Sequence, residues 1–230
     1  MGATEVNGRE QRPRKFGVLL VEDHPMFREQ LAQLIGKEAD MRVCGEADNN
    51  QDALQLLQSN PADIVVLDLS LKGPSGLELL KDLKARGFSV PVLVLSMHDE
   101  LLYAERVLRA GARGYITKHE TSKEVMDAIR KVLSGEVYLG RRMASRVFES
   151  FSARPVREDG VSLLTDRELQ VFELIGRGRS TRQISSSLRL GMSTVETYRT
   201  RIKTKLHLEN ASQLYHEAIR WVSAGQHMSV

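Results

Sequence analysis

Short apolar runs alternate with amphipathic segments through the first 134 residues. Residues 16–21 (Phe-Gly-Val-Leu-Leu-Val) read as a buried strand, and 25–35 follow as a helix with Met26, Phe27, Leu31, Leu34 and Ile35 at helical spacing. A weaker strand over 42–47 precedes a helix over 50–58 that repeats Ala53, Leu54, Leu56 and Leu57. The alternation continues as strands over 63–67, 90–95 and 114–117 and helices over 76–86, 100–110 and 122–134. Strand then helix, five times over, with near-continuous Val, Ile and Leu in the central runs, predicts a five-stranded parallel sheet covered by helices on both faces. Gly87, Gly111 and Gly135 fall just past helix ends, where a left-handed cap is cheapest.

After Gly135 the rhythm changes. Residues 140–151 suit a short helix, and 152–160 (Ser-Ala-Arg-Pro-Val-Arg-Glu-Asp-Gly) read as a linker. From Leu164 onward nothing alternates with period 2. Four short helices are expected at 166–175, 182–188, 194–206 and 211–222, separated by Gly176, Gly178, Gly191 and Asn210. The fold class is therefore α/β followed by all-α, without internal repeats.

Charge sharpens the division. Residues 16–134 hold 14 basic and 18 acidic side chains, and residues 161–230 hold 10 and 6, so an acidic half precedes a basic one within a net charge of +3. That asymmetry points to different partners for the two halves, the second a polyanion. The single Cys44 rules out an internal disulfide and a cysteine metal site. Residues 1–15 carry Arg9, Arg12, Arg14 and Lys15 without an apolar core, unlike a signal peptide, and no apolar stretch approaches 18 residues. A soluble, cytoplasmic chain without membrane contact is expected.

In a parallel α/β sheet, chemistry gathers at the carboxyl edge of the strands. Glu22 and Asp23 end the first strand, Asp68 the third, Ser96 the fourth and Lys118 the fifth. Carboxylates about 4–5 Å apart repel by roughly 4 kcal/mol at an effective dielectric of 20, so the cluster calls for a cation, and Mg²⁺ is the hard, oxygen-loving choice. With the ion neutralising charge, Asp68, at the end of the most apolar strand, suits attack on phosphorus to form an acyl phosphate. Glu22 and Asp23 would hold the ion, and Lys118 and Ser96 would bind phosphoryl oxygens.

Residues 21–25 (Val-Glu-Asp-His-Pro), 66–70 (Val-Leu-Asp-Leu-Ser) with Gly73 and Gly76, 94–97 (Val-Leu-Ser-Met) and 111–118 (Gly-Ala-Arg-Gly-Tyr-Ile-Thr-Lys) resemble a response-regulator receiver domain. The resemblance covers 16–134 and implies a flavodoxin-like (βα)5 fold. It implies further that a histidine kinase phosphorylates Asp68, and that Glu22, Asp23, Asp68 and the Ser70 carbonyl ligate Mg²⁺. Ser96 and Tyr115 would form the switch pair. Glu22 departs from the family's frequent aspartate, His119 from a frequent proline after the lysine, and Lys72 from a frequent loop proline.

The second half carries its own pattern. Residues 182–188, the turn 189–192 and 194–206 have helix-turn-helix proportions, with Ser180 or Thr181 capping the first helix and Ser193 or Thr194 the second. Val195, Ile202 and Leu206 form one apolar stripe, opposite Glu196, Thr197, Thr200, Arg201, Lys203, Thr204 and Lys205. A helix in the major groove has this arrangement. The residues at 164–168, 174–175, 178, 180, 184, 188, 194–198, 202 and 205–206 resemble the LuxR-type signature, which makes the chain similar to the NarL/FixJ regulators over 16–222. The resemblance implies an N-terminal tail at 1–15 without order, a receiver at 16–134, a linker at 135–160, a DNA-binding domain at 161–224 and a tail at 225–230.

Glu196, Thr197, Thr200 and Arg201 are then the base-facing candidates, and Tyr198, Arg199, Lys203 and Lys205 are placed for the DNA backbone, with Thr181, Ser193 and Thr194 beside them. Leu214, Ala218, Trp221 and Val222 would form a homodimer contact. Double-stranded DNA, a cognate histidine kinase and a second copy are the implied partners, with room for RNA polymerase. Glu196 stands where lysine is frequent and Tyr198 where histidine is. Two other readings compete: a DNA-binding regulator that ignores phosphorylation, and a Mg²⁺-dependent phosphohydrolase. The last is disfavoured, because Ser70 stands where a haloacid-dehalogenase-type enzyme wants an acidic general acid, and no enzyme is expected.

Overall fold

The apolar runs lie side by side in the computed structural model, which describes residues 14–71, 75–97, 101–140, 144 and 160–227. Strands β1 (Phe16–Val21), β2 (Met41–Ala47), β3 (Ile64–Asp68), β4 (Val92–Ser96), β5 (Gly114–Thr117) and β6 (Tyr138–Leu139) form one sheet in the order β2-β1-β3-β4-β5-β6. Every pairing is parallel, with Val21 level with Leu67 and Ser96 with Thr117, so the chemically active strand ends share one rim. The sixth strand goes beyond the five expected. Its two residues extend the edge beside Gly114 and Tyr115 and are too short to carry a period-2 signal.

Helices α1 (Pro25–Gly36), α2 (Asn50–Ser59), α3 (Gly76–Ala85), α4 (Leu101–Ala110) and α5 (Ser122–Leu133) cover both faces. Successive strand residues point to opposite sides. Leu20, Ile64, Val66 and Leu93 therefore meet Leu31, Ile35 and Ile129 from α1 and α5, while Leu19, Val65, Leu67 and Val94 meet Leu54, Leu80 and Val107 from α2, α3 and α4. Capping boxes start α3 (Ser75 with Glu78) and α5 (Thr121 with Glu124). Gly76 sits where a Cβ would collide with the Asp68 carbonyl, so the β3–α3 turn closes tightly beneath Asp68.

A 3-10 turn (Gly160–Leu163) leads into α6 (Asp166–Gly176), α7 (Thr181–Leu188), α8 (Met192–Lys205) and α9 (Ala211–His227). Thr165 with Glu168 and Ser180 with Gln183 form capping boxes for α6 and α7. α8 begins two residues earlier than expected, with Gly191 at its N-cap and no side-chain cap, so Ser193 and Thr194 lie within its first turn. The helix expected over 140–151 falls outside the described residues apart from Gly140, which is not helical, and helical Ala144.

Packing of α9 turns most of the apolar stripe expected to form a dimer contact into its own domain. Leu214, Ala218 and Val222 are buried against α6 of the same chain, Trp221 lies 5.8 Å from the Phe172 ring, and a Cβ on Gly176 would strike the Ala218 carbonyl. Helical periodicity reports that a face is apolar, not which neighbour covers it. The outward face of α9 carries Ile219, about half exposed.

The helical domain docks on α3 and α4. Arg106 donates to Asp166 (2.9 Å) and to the Ser162 and Leu164 carbonyls, Lys81 reaches the same carboxylate at 3.1 Å, and buried Arg167 donates to the Leu71 carbonyl. The apolar cluster on that face of the sheet runs on into the core of the helical domain.

Candidate functional site

The carboxyl ends of β1, β3, β4 and β5 bring the expected acidic set together. Glu22, Asp23 and Asp68 are almost wholly buried, as is Ser96. Carboxylate oxygens from the three acids and a ring nitrogen of His24 lie within 4.8 Å of one another. Lys118 Nζ sits between two of the acids, 2.6 Å from Glu22 Oε2 and 3.0 Å from Asp68 Oδ2, and 4.5 Å from the centre of the Phe27 ring. Burial and the neighbouring Glu22 push the Asp68 carboxyl above the ordinary carboxylate range, against the opposing pull of Lys118.

One ammonium among three buried carboxylates leaves the pocket short of positive charge. Asp23 Oδ1 and both Asp68 carboxylate oxygens lack a well-aligned hydrogen-bond donor among the described residues. Acceptors left in this state are costly, and a hard divalent cation is the group that satisfies them. Tyr115 on β5 is fully buried, two residues from the end of its strand. No cis peptide bond occurs among the described residues, so Lys118–His119 is trans.

In the helical domain, α7, the turn at 189–191 and α8 form the expected helix-turn-helix. Val195 and Ile202 anchor α8, while Ser193, Thr194, Glu196, Thr197, Thr200 and Arg201 are exposed on it. The face expected to read DNA is therefore not covered by the described residues of the first domain. Several residues expected to contact DNA also make bonds within the domain. Arg199 donates to Thr181 Oγ1 (2.6 Å) and to Tyr215 Oη (3.2 Å), and Thr181 donates to Glu196 (2.8 Å). Lys205 pairs with Glu168 at 2.7 Å and donates to the Leu163 carbonyl. Burial raises the Glu168 carboxyl, but Lys205 and the Thr165 cap outweigh it and hold the group low. Tyr198 and Lys203 are half-buried.

Comparison with known proteins gives the same division. Residues 18–130 match the response regulator receiver domain, and 162–218 match the bacterial regulatory proteins of the luxR family. The chain is 34% identical to response regulator UvrY of Escherichia coli K12 over 205 residues, covering 89% of this chain and 94% of that protein.

The chain belongs to the LuxR-type response regulators.

It is also 34% identical to BvgA of Bordetella pertussis, a putative positive transcription regulator of virulence factors, over 197 residues covering 86% of this chain and 93% of that one. A LuxR-family two-component response regulator from Aurantimonas is similar in structure, with a TM-score of 0.58 and 31% identity, over 61% of this chain and 100% of that one. As a response regulator the chain combines a receiver with a LuxR-type DNA-binding domain and acts in a two-component system. Receivers in general bind Mg²⁺ through such an acidic cluster, and the donors present here fit that ion. No described helix is long and apolar enough to cross a membrane.

Sequence reasoning missed two side chains in the pocket. His24 Nδ1 lies 2.9 Å from Asp23 Oδ1 and 3.1 Å from Glu22 Oε1, and the His24 backbone N–H donates to Glu22. Arg189, from the turn of the helix-turn-helix, reaches Asp23 Oδ2 at 3.2 Å. His24 directly follows the acidic pair in the chain, a cue to its position. Nothing in the pattern places Arg189 there, because 166 residues separate it from its partner.

Proposed function

We propose that the chain is a phosphorylation-controlled, sequence-specific transcription regulator in which Asp68 takes a phosphoryl group from a histidine kinase. The observation that carries this reading is the buried trio of Glu22, Asp23 and Asp68, closed on one side by Lys118. A bound Mg²⁺, held by the three carboxylates and the Ser70 carbonyl, supplies the positive charge that a dianionic phosphoryl group needs near buried acids. An Asp68 oxygen forms the new bond to phosphorus as the kinase imidazole leaves with the electrons of the P–N bond. Lys118 binds a phosphoryl oxygen and Ser96 donates its hydroxyl to another. Tyr115, packed inside the domain, follows Ser96 and carries the change to the α4–β5 face.

The test uses a small phosphodonor. With acetyl phosphate and Mg²⁺, the wild type is expected to acquire one phosphoryl group and bind its promoter more tightly at fixed salt, whereas Asp68→Asn does neither. Phosphorelay control is refuted if the treated wild type binds no better than the mutant.

On the DNA side, exposed Arg201 is proposed to face the bases and Lys203 the backbone, with Glu196, Thr197 and Thr200 completing the reading face. Arg201→Ala should cost about 1–3 kcal/mol of binding and relax the preference at one base pair. Binding measured against salt and against single-base variants separates the two roles. A uniform loss across sequences, with the salt slope reduced by about one, would make Arg201 a phosphate contact instead.

A further inference from the structure

We propose that Arg189 is a tethered cation of the acidic pocket: its guanidinium holds Asp23 while the two domains are docked, competes there with the divalent ion, and so couples metal loading to release of the helix-turn-helix turn. The inference rests on the reading of the pocket as a Mg²⁺-dependent phosphoacceptor site.

Three observations carry it. The first is the contact itself, 3.2 Å from Arg189 Nη1 to Asp23 Oδ2, between the turn of one domain and a buried carboxylate of the other. The second is the backbone. Arg189 closes α7 in the left-handed region, at φ 52° and ψ 45°. Only Arg189 and His207 are non-glycine residues with positive φ among those described. Glycine or asparagine occupies that conformation at lower cost, so an arginine there is retained at a local expense that its contact offsets. The turn is held in place by the Leu190 N–H donating to the Ser185 carbonyl and by Ser185 Oγ donating to the Leu190 carbonyl.

The third is charge. Three buried carboxylates face one buried ammonium, and the guanidinium takes up one of the two negative charges that remain. A divalent ion neutralises both. With the ion and Arg189 present together the pocket would be over-charged, and both would draw on the one Asp23 carboxylate, whose Oδ2 Arg189 holds. The two cations therefore exclude one another. Arg106 and Lys81 fasten the domains at Asp166, away from this carboxylate, while buried Arg167 donates to the Leu71 carbonyl and feels the Asp23 charge without bonding to it. Arg189 is the cross-domain cation, among the described residues, that bonds a pocket carboxylate directly. By linkage, whatever factor Arg189 subtracts from metal affinity, the metal subtracts from the seating of the turn.

Glycine fits φ 52° without strain, so Arg189→Gly removes the guanidinium and leaves the turn intact, and Arg189→Asn serves as a second variant that tolerates the same backbone. Calorimetric titration of the full chain with MgCl2 should show both variants binding roughly threefold to tenfold more tightly than wild type. Arg189→Lys, which keeps the charge, should fall between them and wild type. Amide exchange over residues 186–191 should speed up in wild type when Mg²⁺ is added and be insensitive to Mg²⁺ in Arg189→Gly. Equal affinity in wild type and both variants, with Asp23→Asn still abolishing binding, overturns the competition and leaves the metal-site reading standing. Absence of Mg²⁺ binding in every protein overturns both.

Discussion

Lys118→Met should lower the stability of the receiver by about 3–5 kcal/mol at neutral pH without Mg²⁺, because it deletes one partner of a buried ion pair and leaves the other side uncompensated. The Lys118 side chain is 5% exposed and its ammonium touches both Glu22 and Asp68, so water does not replace it. The pH dependence follows from the same contacts. Burial and Glu22 already raise the Asp68 carboxyl above its ordinary range, and Lys118 is what opposes them. Without Lys118 the folded-state pKa rises further above the unfolded value. A protonated Asp68 carries no penalty, so the added instability is absent below the unfolded pKa, grows as pH rises towards the raised folded one, and levels off above it. Melting curves of wild type and variant between pH 5 and 8 should therefore diverge with rising pH, by roughly 10 °C or more at the alkaline end. Adding Mg²⁺ should close part of that gap, yet acetyl phosphate labelling should stay low because a phosphoryl oxygen has lost its cation. A gap that narrows with rising pH would contradict the charge assignment of the pocket.

The same electrostatics explains why the site is both unstable and useful. Buried like charges destabilise the empty pocket, and a cation or a proton relieves them. Here two cations do so from different domains: Lys118, just after β5, and Arg189 from the helix-turn-helix. The recognition face of α8 remains exposed in this docked arrangement, with Thr197, Thr200 and Arg201 open to solvent. Docking therefore restrains the placement of the DNA-binding domain rather than hiding its reading surface.

Much of this is legible in the sequence, for reasons that can be named. The central strands are visible because buried parallel strands read as unbroken Val, Ile and Leu, and the weaker second strand is visible from its place in the strand–helix alternation. The acidic rim is visible because topology sends every strand end to one edge, so Glu22, Asp23, Asp68, Ser96 and Lys118 are gathered by the fold alone. What stays hidden depends on side-chain reach. On a helical wheel Arg199 and Lys205 show only a polar face, and nothing there reveals that Thr181, Tyr215 and Glu168 lie close enough to bond them. Leu214, Ala218 and Val222 form an apolar stripe whose partner is α6, a fact of tertiary packing. Strand β6 has two residues, fewer than any periodicity can register. The Arg189–Asp23 contact joins domains whose relative placement no local pattern encodes.

Phe172→Ala should abolish DNA binding while leaving phosphoryl uptake at Asp68 in place. Phe172 is completely buried on α6 and meets Trp221 of α9 with ring planes tilted by 53°. Emptying such a site costs about 3–5 kcal/mol, through lost burial and the cavity left behind. The neighbourhood has little room to collapse: Gly176 already brings α6 against the Ala218 backbone, and Leu169, Ile175 and Leu214 of the same apolar cluster are fully buried. A domain of some 60 residues has little stability to spare, so a loss of this size takes most of the folded population with it. The receiver keeps its α1–α5 face, whose apolar cluster shares no residue with the helical domain. Trp221 is the only tryptophan in the chain, so its emission reports on this domain alone. The variant should show red-shifted tryptophan emission at room temperature, no promoter shift at any phosphodonor concentration, and acetyl phosphate labelling within about twofold of wild type. Loss of labelling together with DNA binding would mean that the two domains fold as one unit, and that the α3–α4 docking is structural rather than a releasable contact.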